Sequence, residues 1–372
     1  MNICVDIRSL LENQYSGVSY YTYNLLVNIF ENDQKNNYKL FYNSFRKKLD
    51  FEFDYPNVKI YRFRIPNKLL NFCFLFFKYP KIDKMVGGCD IFFAPNLNFF
   101  ALSKKIKKVI TIHDLSFKLF PKFFSLKQRL WHNLINVCRV VCSFDSVITV
   151  SNNTKKDLIR FCDITKKNTN VIYLGVNPYF FYDNSSVRTK INNLVSKNYI
   201  LSIITLEPRK NIENTIFSFE KVAVSNKDLL LVFIGKKGYK SRKYLNLIKK
   251  SKFSDRILYF DYISGGEKWF LIDHAKVLMF ISFYEGFGLP VLEAQSRGIP
   301  VICSYNSSFL EILGKSSLFV NPYDLNDISH KLENILNDSD LYNDLKEKSL
   351  YNSKRFNWKN TAIKTVKIFE NL

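Results

Sequence analysis

Short apolar runs, too brief for helices, recur along the chain, and each is followed by a stretch with helical periodicity; this alternation constrains the fold more than any other feature. Asn2–Asp6 reads as a first buried strand, a polar loop with Gly17 follows, and an apolar-periodic helix runs from Val18 to Phe30. Further strands are expected at Lys39–Tyr42, Ile91–Ala94, Val109–Ile112 and Ser146–Val150, the last leading into a helix capped by Ser151. Strands that alternate with helices imply parallel sheets covered on both faces. Near residues 178–196 the periodicity stops in a polar stretch that reads as a linker. A second series then begins, with strands expected at Tyr199–Ile204, Leu229–Ile234, Ile257–Phe260, Val277–Ile281, Pro300–Cys303 and Ser317–Val320. The predicted class is α/β, with two doubly wound domains, 1–180 and 195–355, facing each other across a cleft. A helix over 356–372 is expected to pack back toward the first domain. A length of 372 residues suits this division, since single cores stop growing at roughly 250–300 residues. Ligands of open sheets sit beyond the carboxyl ends of the strands, so chemistry is expected in the cleft.

Composition narrows the setting. An apolar share of 47% with only 12 Gly and 10 Pro excludes a disordered or low-complexity chain. The seven cysteines, an odd number without a C-x-x-C pair, are expected to be reduced thiols of a cytosolic protein. Cys138 and Cys142, four apart, share a helix face and are expected to pack in a core. The N-terminus, MNICVDIRSL, lacks the charged and apolar regions of a signal peptide, and no apolar run reaches the length of a membrane span, so a cytoplasmic location is expected. The longest run, Leu69–Phe77, is flanked by Lys68, Lys78 and Lys81 and suits a surface-lying membrane helix and a buried core helix equally well. The net charge is +22, and between Arg46 and Arg139 stand 19 Lys and Arg against 6 Asp and Glu, an excess of 13. Such a surface attracts anionic headgroups, acidic glycans or nucleic acid.

The stretch FISFYEGFGLPVLEAQSRGIPVI, residues 280–302, reads as strand, ligand-facing loop, helix and strand. Its loop carries Glu285, Gly286, Phe287 and Gly288; Pro290 opens the helix and Gly298 ends it. The glycines admit close approach of backbone N–H groups to a ligand, and the helix start favours negative charge. Glu293, one turn in, could merely complement the helix dipole. That reading leaves the glycine loop and the second carboxylate eight residues earlier unexplained, so a hydroxyl-binding role is preferred. Arg209 and Lys210 follow a strand beside a proline turn and suit a phosphate that gains charge as a bond breaks. The alternative, a solvent-exposed basic pair at a helix start, would oppose the helix dipole. His113 ends the strand Val109–Ile112, where the cleft is expected.

At these residues the sequence resembles the retaining glycosyltransferases of the GT-B fold often numbered family 4, which include bacterial mannosyltransferases of surface polysaccharide assembly. Their E-x7-E pattern is matched by Glu285 and Glu293 within EGFGLPVLEA. The likeness continues through SGVSYYTYNL around Gly17, IHDL at 112–115, VSNNTKKDL at 150–158, LGVNP at 174–178, LEPRKNI at 206–212, IGKKG at 234–238 and FVNPYD at 319–324. It implies two Rossmann-like domains, the first binding the acceptor and the second the nucleotide-sugar donor. It further implies that Glu293 holds the donor ribose, that Glu285 with Gly286, Phe287 and Gly288 meets the sugar or phosphates, and that Arg209 and Lys210 neutralise the diphosphate. His113 would contact the transferred sugar, and Gly17 would let the backbone approach the phosphate or acceptor.

Relatives usually carry glycine where Ile203 and Ile204 stand here, which leaves more of the phosphate to Arg209 and Lys210; Asp261 likewise replaces a glycine. The resemblance implies front-face attack, in which the leaving diphosphate accepts the acceptor's proton. No evident acidic metal-ligand set stands beside the site residues, so neither metal nor cofactor is expected. GDP-mannose is the favoured donor, with a UDP-sugar possible, and the acceptor is expected to be lipid-linked, lipopolysaccharide or polysaccharide, reached from the inner face of an anionic membrane. Among other classes, a nucleic-acid-binding protein lacks any recognisable motif here and no nucleic-acid partner is expected. A nicotinamide enzyme lacks G-x-G-x-x-G after its first strand. A nucleotide-sugar epimerase on the same fold stays open.

Overall fold

The computed structural model describes residues 1–11, 16–50, 52–164, 168–177, 182–183 and 187–372. Residue 180, the expected domain boundary, and most of the early linker lie outside the described residues. The chain forms two compact units. One comprises Met1–Leu119, Leu126–Gly175 and Asn357–Leu372, and the other Phe120–Ser125 and Val176–Phe356.

In the first unit, seven strands form one parallel sheet: β1 Asn2–Asp6, β2 Asn37–Asn43, β3 Val58–Phe63, β4 Ile91–Ala94, β5 Lys107–Ile112, β6 Ser146–Thr149 and β7 Asn168–Val171. Their order is β3-β2-β1-β4-β5-β6-β7. The two strands that the apolar pattern did not announce, VKIYRF and NTNV, are the two edges. An edge strand has one neighbour, so its composition need not be wholly apolar. The inner strands β4 and β6 are buried at every residue, which is why they read as continuous apolar runs.

The helix Gly17–Asn32 begins at Ser16, whose hydroxyl accepts from the Ser19 N–H at 3.2 Å. It packs on the C-terminal helix Trp358–Glu370, with the Trp358 ring 6.2 and 6.1 Å from those of Tyr20 and Tyr21, while Phe369 meets Phe93 at 5.3 Å. The C-terminal helix is therefore part of the first unit's core, although residues 176–356 intervene.

The apolar run forms the helix Asn67–Phe76, which has one buried and one exposed face. Leu70 and Phe74 enter the core, whereas Leu69, Phe72, Phe76 and Phe77 are exposed. Among the described residues no helix is long and apolar enough to cross a membrane. The cysteine expectation is corrected. Cys138 and Cys162 form a disulfide that ties the helices Val137–Cys142 and Asn152–Cys162 together, and Cys142 is exposed rather than in a core. Helical spacing pointed to Cys142, but the next helix ends with its cysteine 4.8 Å away between Cα atoms.

The second unit has six parallel strands: β8 Tyr199–Ile203, β9 Leu230–Ile234, β10 Ile257–Phe260, β11 Val277–Phe280, β12 Val301–Ser304 and β13 Leu318–Val320. Their order is β10-β9-β8-β11-β12-β13. In each sheet the chain first builds outward in one direction and then crosses back to build in the other. The switch falls between β1 and β4 in the first unit and between β8 and β11 in the second. Doubly wound sheets bind ligands beyond the carboxyl ends of the strands at this point, where the two outgoing loops diverge.

Candidate active site

The two loops that leave the second switch point carry the predicted charges and bring them into contact. After β8, residues 204–206 continue beside 234–238: the Ile204 N–H donates to Ile234 O at 2.8 Å and the Leu206 N–H to Lys236 O at 2.9 Å. This close approach demands Gly235, whose φ is +134° and where a Cβ would fall 2.2 Å from the Ile204 carbonyl oxygen. A single 3-10 turn, Pro208–Lys210, then aims Arg209 and Lys210 at the loop after β11.

Glu285 in that loop receives both cations. Lys210 Nζ lies 2.5 Å from its Oε1 and Arg209 Nη1 lies 2.9 Å from its Oε2. Arg209 also pairs with Glu207 at 2.9 Å and donates to Tyr284 O at 2.8 Å. The side chains of Arg209, Lys210 and Glu285 are only 15, 9 and 10% exposed, which removes the alternative of a solvated basic pair. Burial pushes the Glu285 carboxyl up, but the charges of Arg209 and then Lys210 outweigh it and hold the group at about 2. For Lys210, burial and neighbouring Arg209 lower the ammonium pKa against the pull of Glu285. Its charge also sits 4.8 Å from the centroid of the Phe280 ring. Among the described residues one of its three N–H donors is committed, to Glu285, which leaves donors for a ligand.

Neighbouring segments hold this arrangement still. Asn211 and Asn214 both donate to Pro322 O, at 2.7 and 2.9 Å, which joins the LEPRKNI and FVNPYD segments. Ser307 Oγ accepts the Glu285 N–H, and Ser308 Oγ donates to Glu285 O and Phe287 O. Gly288, at φ +98°, lies so close to Phe309 that a Cβ would fall 2.5 Å from its ring. Tyr284 to Leu289, including Gly286 and Phe287, are all buried.

The helix Leu289–Ser296 follows, buried on every side except at Pro290. Glu293, 3% exposed, pairs with Lys268 at 2.5 Å rather than with the Arg209 cluster. Lys268 escaped sequence reasoning because it belongs to another helix, Gly265–Asp273, whose start Ser264 and Glu267 cap reciprocally. Gln295 was also missed. It donates to Ser316 O, Ser316 Oγ and Ser317 Oγ and accepts from Asn352 at 2.7 Å, so its role is to satisfy a buried polar network.

In the first unit, His113 follows β5, with Nε2 2.9 Å from Pro95 O. The carbonyl can only accept, so Nε2 carries the proton and Nδ1 of the neutral ring is an acceptor. Burial lowers the imidazole pKa against the Pro95 carbonyl and the Asp114 charge. Tyr21 packs edge-on at 4.7 Å between ring centroids. Gly17 opens the helix Gly17–Asn32, and a Cβ there would meet nothing within 4 Å. Folding alone therefore does not require glycine at this position.

Comparison with known proteins places both units in families. Residues 15–180 match the family described as Glycosyltransferase Family 4, and residues 183–350 match Glycosyl transferases group 1. An O-antigen chain mannosyltransferase B of Escherichia coli is 26% identical over 277 residues, covering 73% of this chain and 72% of the relative. The serotype-specific mannosyltransferase WbdA of Escherichia coli is 28% identical over 236 residues; the match covers 61% of this chain and 29% of that longer protein. Among solved structures, a sucrose-phosphate synthase from Thermosynechococcus elongatus superposes with a TM-score of 0.79 at 18% identity, covering 100% of this chain and 98% of the other. With two parallel-sheet units and family matches to each in turn, the chain belongs to the family 4 type of glycosyltransferases with the GT-B fold.

Proposed function

We propose that this glycosyltransferase moves a mannosyl residue from GDP-mannose to a growing surface glycan, with retention of anomeric configuration. The cluster of Glu285, Arg209 and Lys210 at the second switch point carries the reading. Departure of a nucleoside diphosphate leaves negative charge on phosphate oxygens, and prepositioned cations in a poorly hydrated site stabilise that charge without reorganisation. Arg209 and Lys210 supply it, with Glu285 fixing their positions. The acceptor oxygen forms its bond to the anomeric carbon on the face from which the diphosphate departs, and the leaving phosphate takes the acceptor proton. Glu293 accepts hydrogen bonds from the ribose, Gly286, Phe287 and Gly288 line the donor, Gly17 admits the phosphate or acceptor, and His113 orients the transferred sugar. Mannose is favoured because the two reported relatives are mannosyltransferases.

The reaction runs without a metal ion or cofactor, the side-chain cations filling that electrostatic role. The acceptor is lipid-linked or part of a lipopolysaccharide, and the enzyme works on the cytoplasmic face of an anionic membrane. The first unit supports this with exposed Leu69, Phe72, Phe76, Phe77 and Tyr79 beside exposed Lys68 and Lys78. The reading is tested by release of nucleoside diphosphate from a panel of GDP- and UDP-sugars with and without a glycan acceptor. Acceptor-dependent release from GDP-mannose supports it. Release from a UDP-sugar alone reassigns the donor, and acceptor-independent interconversion of the sugar identifies an epimerase.

A further inference from the structure

The Cys138–Cys162 bridge stands apart from the rest of the sulfur chemistry, since among the described residues the other five cysteines form no disulfide. It joins the helix Val137–Cys142 to the end of the helix Asn152–Cys162. Its two sulfurs are unequally placed. Cys162 is 8% exposed, whereas Cys138 is only half-buried and offers the side that a thiolate in solution can reach. Cys142 lies one turn along the helix from Cys138, but Cβ atoms four apart on a helix are about 5–6 Å apart, beyond the roughly 3.5–4.5 Å that a disulfide spans. It therefore cannot take the place of Cys162 and remains an exposed thiol. The reduced state is also provided for. Cys138 Sγ lies 3.2 Å from Phe161 O, a carbonyl in the last turn of its helix, where intrahelical donors run out, so a Cys138 thiol would find an acceptor in place.

The bridged helix reaches the neighbourhood of His113. Its 11 residues extend about 16 Å back from Cys162 to the cap at Ser151. There the Thr154 N–H donates to Ser151 Oγ at 3.1 Å, Ser151 Oγ donates to Thr154 Oγ1 at 3.0 Å, and Thr154 Oγ1 donates to His113 O at 3.2 Å. Ser151 and Thr154 are both fully buried. One end of the helix thus holds the backbone of His113, and the other carries the disulfide. A bridge across 24 residues restricts how far this part of the chain can open, so its loss lets the helix end fluctuate. Small displacements at a reacting centre cost rate. On the cytoplasmic face proposed above, where small thiols keep cysteines reduced, disulfides are usually transient or redox-sensing.

We propose that Cys138–Cys162 is a reversible exchange site for low-molecular-weight thiols of the glutathione class, and that its state sets how firmly His113 is held. A small thiolate attacks Cys138 Sγ; the bond to Cys162 breaks, and Cys162 leaves as a thiolate that takes up a proton. A second small thiol attacks the sulfur of the first, forming their disulfide and releasing Cys138 as a thiol, so two electrons pass from two small thiols to the protein. The small disulfide reverses both steps. The full chain, equilibrated in buffers graded from oxidised to reduced glutathione, is quenched in acid, denatured, alkylated and weighed. Five labelled thiols are expected at the oxidised end and seven at the reduced end, reached from either direction. Cys138→Ser with Cys162→Ser should melt about 5–10 °C below the oxidised protein and ignore glutathione. The coupling to His113 rests on the glycosyltransferase reading. In turnover, reduction is expected to lower kcat about three- to tenfold with GDP affinity unchanged; Thr154→Val removes that response and Thr154→Ser restores it. Five thiols persisting in reduced glutathione, seven persisting in oxidised glutathione, equal kcat in the two states, or a kcat response that survives Thr154→Val would overturn the proposal. Failure of the wild type to release nucleoside diphosphate from any nucleotide sugar would instead remove the reading on which the coupling rests, while the thiol count and the melting temperature still decide the exchange site.

Discussion

The two sheets reverse strand order at corresponding places, and what lies beyond each reversal differs. In the second unit the diverging loops bring together buried charge: Arg209 and Lys210 against Glu285, with Glu207 behind. In the first unit the same position holds one self-neutralised ion pair, Asp6 with Arg8, and a lining of amides. One topology thus supports two kinds of recognition. Buried cations fixed by a carboxylate suit a ligand that gains charge during reaction, and amides suit a ligand that has only hydroxyls to offer. The costs differ too, because desolvated charges depend on one another far more than neutral amides do.

The largest effect is therefore expected at Glu285. Glu285→Ala leaves Lys210 buried without its carboxylate, and removing one partner of a buried pair costs about 3–5 kcal/mol. Denaturant unfolding should show this loss, together with loss of transfer. Lys210→Met is milder for folding because Arg209 still pairs with Glu285, yet transfer should fall by about 10²–10³-fold, the size of effect seen when one transition-state donor is removed. The double variant Glu285→Gln with Lys210→Met should regain part of the stability and none of the activity. If it regains activity, the cluster is a structural device and the contrast between the units collapses.

Glu293 comes next. Glu293→Gln breaks the pair with Lys268, which is 23% exposed and can turn to water, so the folding cost should be smaller than at Glu285. If the carboxylate holds the ribose, loss of a charged hydrogen-bond partner weakens donor binding by roughly ten- to a hundredfold. Titration of the variant with GDP measures it. Unchanged GDP affinity would assign Glu293 to the Lys268 pair alone.

This contrast also explains what the sequence disclosed. Inner strands such as IFFA and VLMF are legible because burial on both faces leaves no polar residue to blur them. VKIYRF and NTNV were hidden by their edge positions. Glu285, Arg209 and Lys210 stood out because charges beside glycine and proline turns are hard to explain by packing. The partner of Glu293 did not, since Lys268 lies 25 residues away on a separate helix. Nor did the asparagine lining. Asn43 ends a strand, Asn67 and Asn71 lie on one helix and Asn96 and Asn98 in one loop, and nothing in the sequence joins them until the sheet gathers them. The Cys138–Cys162 link was missed for the same reason, as its closeness depends on how two helices pack.

Acid should separate the units in a smaller but measurable way. Burial lowers the pKa of His132 to about 4, and burial also lowers that of His113, both in the first unit. As pH falls through about 6.5 the unfolded chain takes up these protons while the folded chain does not, so stability drops between about 6.5 and 4. Glu285, held at about 2 against an unfolded value of 4.5, instead costs the second unit stability as pH falls from about 4.5 toward 2. Melting followed by Trp131 in the first unit and Trp269 in the second, each left as the only tryptophan, should show the first unit softening at the higher pH. Coincident loss in both would break the distinction.

The smallest expected effect is that of chelation. Transition-state charge on a departing diphosphate can be met by a divalent ion or by fixed side-chain cations, and the second unit presents two cations within 3 Å of one carboxylate, at 2.5 and 2.9 Å. Lys210 is held so that part of its donor capacity is still available, and Glu285 keeps it charged and in place. Excess EDTA should therefore leave the transfer rate within about twofold of its starting value, since removing an ion that carries no transition-state charge leaves the barrier unchanged. The assay needs GDP-mannose, a glycan acceptor and a reading of nucleoside diphosphate release before and after chelation. Complete loss of rate, restored by magnesium or manganese, would mean that Arg209 and Lys210 serve Glu285 rather than the leaving group. The second unit's buried charge would then be a fold device, and the difference between the two switch points would lie in packing instead of chemistry.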